Sequence, residues 1–200
     1  MLKSIDIVNH VVSFRWKSPS GNWGVFSLFG FDKYGRRQYG MSMQTFLPYK
    51  DFNKSAEVLD NKRLNKQILE GYQILNVLSN DDPKAGWRNH PAVKMWRGHE
   101  KALLSYVMAC VEEADKRGIK TINNVRNINT LFLANYNNWG DGLPNWFHDH
   151  EKSFRVMATH KANLYKKDPV YYFQFFDSLK DPDNKPCCEK CNYFWVTHIA

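Results

Sequence analysis

Four cysteines in 200 residues are too few and too unevenly placed for a disulfide framework, since Cys110 stands in a helical apolar pattern and Cys187, Cys188 and Cys191 crowd the C-terminal end. This usage fits a reducing compartment. Long apolar runs are missing as well. None approaches the roughly 20 residues that a bilayer span requires, and the first residues lack the basic-then-apolar order of a secretory leader. A soluble, cytoplasmic protein without membrane contact is expected. No P-loop, no dinucleotide-binding glycine pattern and no Gly-x-Ser-x-Gly elbow is present, which removes several common enzyme classes. Acidic residues are also scarce: 20 Asp and Glu face 28 Lys and Arg, for a formal charge of +8.

That surplus favours an anionic partner, because clustered Lys and Arg displace counterions from a phosphate backbone. Nucleic acid is the first candidate. Metal ligation is poorly supported. His148 and His150 are two residues apart instead of the i, i+4 spacing by which a helix chelates zinc, and Cys188-Glu-Lys-Cys191 has no second pair to close a four-ligand site. No cofactor and no metal are expected.

With 43% hydrophobic and 15% aromatic residues the chain has ample material for one core. Residues 1–42 alternate in hydrophobicity around Val11 to Trp16 and Trp23 to Phe29, on either side of Ser18-Pro-Ser-Gly-Asn22. This is a β-hairpin signature. The basic, Gly-rich stretch Lys33 to Gly40 then leads into the rest.

After Pro48 the period changes to about 3.6. One long amphipathic helix is expected from an N-cap at Asn53 through Ala56, Leu64, Ile68, Tyr72, Leu75 and Leu78, closed by Asn80-Asp-Asp-Pro83 and Gly86. A second is expected from Pro91 to Gly118, burying Met95, Trp96, His99, Leu103, Tyr106, Val107 and Cys110, with Lys116 and Arg117 offsetting the negative end of its dipole. Ile122 to Leu133 reads as short helix and loop, and Asn137 to Gly142 as loop. A third helix is expected from Asp149 to Lys167 with Phe154, Met157 and Leu164 inward, followed by an aromatic stretch, Tyr171 to Phe176, that packs back on the bundle.

Asp60, Arg63, Gln67 and Glu70 follow steps of three and four, so they share a helix face, flanked by Lys62 and Lys66. Such a stripe is either a solvated face laced with ion pairs or a site where cations hold phosphates while a carboxylate meets a cationic transition state. Gly86-Trp-Arg-Asn-His-Pro91 opens the second helix. The free N–H groups there, with Arg88, Asn89, His90 and Arg97, suit phosphate, although Trp87 equally reads as a core plug and His90 as a cap.

Met43-Gln-Thr-Phe-Leu-Pro-Tyr49, the Leu59 to Gln67 run, Asn89-His-Pro-Ala-Val-Lys-Met-Trp-Arg-Gly98 and His160-Lys-Ala-Asn-Leu-Tyr-Lys-Lys-Asp-Pro169 occur in this order. Together they resemble a bacterial branch of the pyrimidine-dimer DNA glycosylases, the superfamily of phage endonuclease V, over about residues 43–176. The resemblance implies a mainly α, compact helical bundle of the endonuclease V type, here with an N-terminal β-hairpin extension (1–42), a glycosylase-like core (43–176) and a C-terminal tail (177–200). It implies a monomer that binds double-stranded DNA, kinks it and breaks the glycosidic bond of a lesion nucleotide.

The resemblance implies DNA contacts at Lys62, Lys66, Arg88, Asn89, His90, Arg97, His160, Lys161 and Asn163, and a catalytic group at Asp60, Arg63, Gln67 and Glu70. Arg63 stands where the family is expected to carry its glutamate, so the acid is expected from Asp60 or Glu70. The family's nucleophile is a free terminal amine, whereas Gln44-Thr45 is preceded here by more than 40 residues unless translation starts at Met41 or Met43. The expected activity is therefore monofunctional, leaving an abasic site, with Lys62 or Lys66 as alternative lyase amines. The base must leave the stack. Trp87, Tyr171 or Tyr172 would fill the gap, and either repair or defence against phages with modified pyrimidines would follow. The rival readings are a non-catalytic DNA-binding module and a metal-dependent nuclease, the latter requiring a carboxylate cluster that is not evident.

Overall fold

The computed structural model describes residues 43–80, 86–176 and 193–196 in full, together with the backbone of three strands within the first 42 residues. The chain divides into two compact units, Met1–Ser42 and Met43–Ala200. The loop Ser18 to Asn22, the link Lys33 to Gly40, Asp81 to Pro83 and the cysteines of the tail lie outside the described residues.

In the first unit Leu2–Val8 (β1), Val11–Lys17 (β2) and Trp23–Ser27 (β3) form an antiparallel sheet in the order β1-β2-β3. Phe14 pairs with Ile5 on one side and Phe26 on the other, in segments whose β-branched and aromatic residues suit a pleated backbone. The register shifts between Leu2 and Ser4.

The second unit is mainly helical. The helix expected from Asn53 is in fact two: Phe52–Glu57 (α1) and Asn61–Leu78 (α2). Asp51, not Asn53, caps α1 by accepting from the Lys54 N–H, and Asp60 caps α2 by accepting from the Arg63 N–H. A carboxylate at each N-cap satisfies an otherwise orphaned amide, which is why the chain can break and restart within three residues.

The second expected helix is broken likewise, into Pro91–Lys94 (α3) and Glu100–Lys116 (α4). Gly98 turns the chain between them at φ +78°. A Cβ on Gly140 would lie 1.9 Å from the Gly98 carbonyl oxygen, so two glycines are required where these loops meet. Glu100, buried, locks that meeting by accepting from the Gly98 and Gly140 N–H groups. His99 is therefore a partly exposed residue of the break, not a core residue.

Residues expected as short helix and loop form one helix, Ile122–Asn135 (α5), whose periodicity was faint because Ile128 is its single buried residue. Asn145–His148 (α6), His150–Lys167 (α7) and Pro169–Tyr172 (α8) complete the unit. Leu164 is buried as expected, but Phe154, expected inward, is 52% exposed, and α7 buries Ser153, Val156 and His160 instead. Helices α1, α3 and α5 pack on the α2–α4 pair. The α2–α4 pair is close because Gly71 has no side chain: a Cβ there would meet Val107 Cγ2 at 2.2 Å. Tyr172 and Phe176 stack with parallel rings and are buried, whereas Phe173 is exposed. No described helix is long and apolar enough to cross a membrane.

Candidate active site

The stripe on α2 is not a wet surface. Gln67 is 1% exposed and Glu70 5%, and the side chains of Asp60 and Arg63 keep only 14% and 16% of their surface. What covers them comes from far along the chain: the 43–47 segment, the end of α7, α8 and the short strap Tyr193–Val196.

Gln67 is the joint between these parts. Its side-chain oxygen accepts from the Phe46 N–H (2.7 Å) and the Tyr106 hydroxyl (2.8 Å). Its amide donates to the Gln44 carbonyl and to Glu70 Oε2, each at 2.9 Å. All four hydrogen-bonding positions of a buried amide are thus filled, which fixes the Gln44 main chain and the Glu70 carboxyl on opposite hydrogens of one NH2 group.

Glu70 is the poised group. Burial pushes its pKa up to about 7, against the opposing pull of Lys66, the Gln67 hydrogen bond and Lys167. Lys66 Nζ stands 3.5 Å from Glu70 Oε1 with half of its own side chain in solvent. Lys167 is held below the usual ammonium range by burial and by the charges of Arg63 and Lys66. Tyr193 completes the wall; burial, with the nearby Glu70 charge, pushes its phenol well above the usual value. Its ring contacts His160 at 5.8 Å and Phe46 at 6.1 Å between centroids.

Asp60 is a different kind of carboxylate. Burial raises its proton affinity, but hydrogen bonds from Arg63 and Tyr172 and the Arg63 charge more than offset this, so its pKa falls below the ordinary value. One oxygen accepts the Arg63 N–H, and the other takes the Arg63 guanidinium (2.5 Å) and the Tyr172 hydroxyl (2.7 Å). Arg63 also approaches Asp168 at 3.9 Å. Asp60 is thus a cap and an anchor, ionised and fully occupied, which corrects its expected place in mid-helix.

Several expected DNA contacts lie elsewhere. His160 is fully buried and neutral, burial pushing its pKa down to about 3. Its Nδ1 accepts from the Leu47 N–H at 2.9 Å, and its Nε2 lies 2.9 Å from the Gln44 side-chain amide. It holds the 44–47 segment from behind and has no surface for a ligand. His90 caps α3 through Nδ1, and α3 has only four residues, too short for a strong dipole. Trp87 is 38% exposed at φ +70°, not a core plug. Arg88 donates to the Asn80 carbonyl and Arg97 to the Arg88 carbonyl, so both brace the turn from which Asn89 projects. Lys62 is exposed, Lys161 lies 4.6 Å over the Tyr49 ring, and Asn163 donates to the Thr159 carbonyl.

Lys167, Tyr193 and Gln44 were missed as site residues by their sequence context. Gln44 and Lys167 sit in the Met43–Tyr49 and His160–Pro169 motifs, but nothing in Tyr193 marks it until folding brings it to α2. Among the described residues no group of three or more His, Cys, Asp or Glu is placed to hold a metal ion.

No curated protein and no solved structure was found to match the chain. Residues 43–127, which carry the 43–47 segment, α1 to α4 and the Gln67–Glu70 pair, match the family model described as pyrimidine dimer DNA glycosylase, a likeness that supports a DNA-glycosylase activity in general terms.

Proposed function

We propose that this chain is a DNA glycosylase that hydrolyses the N-glycosidic bond of a damaged or modified pyrimidine in duplex DNA, with Glu70 as its working carboxylate. One observation carries the reading: a buried carboxyl with a pKa of about 7, hydrogen-bonded to Gln67 and ringed by Lys66 and Lys167. A group that titrates near the operating pH is suited to general acid–base work, and perturbation by desolvation beside specific charges marks functional sites.

In the ionised form Glu70 opposes the positive charge that builds on the sugar as the C1′–N bond breaks and its electron pair leaves with the base. The same carboxylate takes a proton from water as the oxygen bonds to C1′, leaving an abasic site. Lys66 and Lys167 hold strand phosphates beside Glu70, Lys62 and Lys161 extend the contact along the strand, and the turn of Arg88 and Asn89, braced by Arg97, adds a second set of contacts. The target base leaves the stack to reach the carboxyl, at a cost of a few kcal/mol that damage or bulk reduces. Photodimers and the bulky pyrimidines of phage genomes both meet that condition, which places the activity in repair or in antiviral defence.

Lys167 supports a second reading. Burial and the charges of Arg63 and Lys66 lower the proton affinity of its ammonium, and its deprotonated amine would attack C1′, displace the base and form a Schiff base that leads to strand cleavage. Incubating photodimer-containing, phage-modified and unmodified duplexes with the protein in EDTA separates the outcomes. Breaks that appear only after alkali indicate the hydrolytic glycosylase. Breaks without alkali, with a borohydride-trapped adduct that Lys167→Gln abolishes, indicate the amine. No break on any substrate refutes both and leaves a DNA-binding module.

A further inference from the structure

Away from the Glu70 cluster, a groove of about 300 Å³ is lined by Lys94, Arg97, His99 and Lys152 together with Asn145 and Trp146. No carboxylate is among its lining residues. The cations are only partly engaged. Lys152 Nζ lies 3.2 Å from Asp149 Oδ2 with both side chains about a third exposed. Arg97 spends one guanidinium nitrogen on the Arg88 carbonyl, leaving others of its five donors. Lys94, exposed, has no ion pair among the described residues.

The floor is of another kind. The Trp146 indole N–H is already bonded to the Met95 carbonyl at 3.0 Å and the residue is only 7% exposed, so the strip of ring that reaches the groove is apolar and continues the apolar lining of Pro144 and Val196. Asn145 is exposed beside it, with both a donor and an acceptor. Trp146 meets Trp96 edge-on at 5.9 Å, and the Trp96 N–H bonds Thr45 Oγ1, so the groove is tied through one buried indole to the segment beside Glu70.

Cations around a rim, an amide at the edge and an apolar floor are complementary to a single nucleotide unit: phosphate to Lys94, Arg97 and Lys152, sugar or base against the apolar strip of Pro144, Trp146 and Val196. We propose that this groove binds a nucleotide unit, either free or as part of a DNA strand engaged outside the excision pocket. The groove's ligand is defined by phosphate and a flat base, independently of what Glu70 does.

The test is Lys94→Ala/Lys152→Ala in the full chain, two surface changes remote from the acid pocket, with fold checked by thermal unfolding. Binding of a short unmodified duplex is measured across salt concentrations, and binding of deoxyadenosine monophosphate and of inorganic phosphate by competition. A nucleotide of a strand predicts about tenfold weaker duplex binding, with the log–log salt slope reduced by about 1.8 for two lost phosphate contacts. A free nucleotide predicts unchanged duplex binding with loss of monophosphate binding, stronger in the wild type than inorganic phosphate alone. Unchanged duplex and monophosphate binding overturns the proposal, as does monophosphate binding no tighter than phosphate with the duplex unaffected. Wild-type protein that binds through this groove yet excises no lesion refutes the glycosylase reading and leaves the groove standing.

Discussion

Glu70→Gln is expected to make the protein more stable and less active at once, and the size of the first effect follows from the site. The folded chain holds the Glu70 proton up to about pH 7, while an ordinary glutamate releases it near 4.5. Between those values folding takes up a proton, so the stability contributed by neutral Glu70 is complete below pH 4.5 and is lost as pH rises through 7. Above pH 7 the buried charge costs about 3 kcal/mol, at 1.36 kcal/mol per tenfold change in proton affinity. A glutamine keeps the acceptor for Gln67 and removes that charge. The attraction to Lys66 and Lys167 is already contained in that net cost, since both oppose the rise. A net gain of about 3 kcal/mol at pH 8 is expected, which for a chain of this size raises Tm by about 6–12 °C. Thermal unfolding by circular dichroism at pH 8 and pH 4.5 is the assay. The gain should vanish at the lower pH. A variant less stable than wild type at pH 8, or a difference that ignores pH, would refute the reasoning.

Other substitutions probe the supports. Asp60→Ala removes a cap and leaves Arg63 with the distant Asp168, so it should lower stability by about 2–4 kcal/mol in denaturant titrations, whereas Asp60→Asn, which still caps, should cost less and retain excision. His160→Gln should flatten the acid limb of stability. The wild-type ring stays neutral down to about pH 3 in the fold but ionises near 6.5 when unfolded, so stability is present above 6.5 and falls as pH drops, and urea titrations at pH 7 and 5 read the difference. Gly71→Ala, which would gain about 1 kcal/mol of helix propensity in isolation, should instead lose 1–3 kcal/mol because its Cβ meets Val107.

Helices with a wide apolar stripe were legible in the sequence. Leu64, Ile68 and Leu75 mark α2, and Leu103, Tyr106, Val107 and Cys110 mark α4, because burial against each other demands a 3.6 period. The breaks were not. A helix interrupted at Val58–Asp60 keeps its apolar spacing, so the interruption shows only in what caps it, and the Gly98 turn requires a second glycine more than 40 residues later. α5 was hidden for the opposite reason, having almost no buried face to betray it.

The site itself was half readable. Arg63, Gln67 and Glu70 announce a shared polar face, but the same spacing describes a solvated helix. The difference lies in Gln44, His160, Lys167 and Tyr193, which cover the stripe from as far as 123 residues away from Glu70 and have no local signal of that role. It is also the cover that separates the two carboxylates. Asp60 meets the Arg63 guanidinium and the Tyr172 hydroxyl and is held ionised, while at Glu70 burial outweighs Lys66, Lys167 and the Gln67 amide and pushes the pKa up to about 7. Two acids on one helix thus acquire different chemistry from neighbours remote in sequence.

The most direct test of Glu70 as the working group is the single-turnover rate of base excision from a lesion-bearing duplex, followed by alkaline cleavage, between pH 5 and 9. Wild type should rise through a single inflection near pH 7 to a plateau, and Glu70→Gln should fall at least a hundredfold with the inflection gone. A folded Glu70→Gln protein that excises at the wild-type rate, with the same pH profile, would contradict the account.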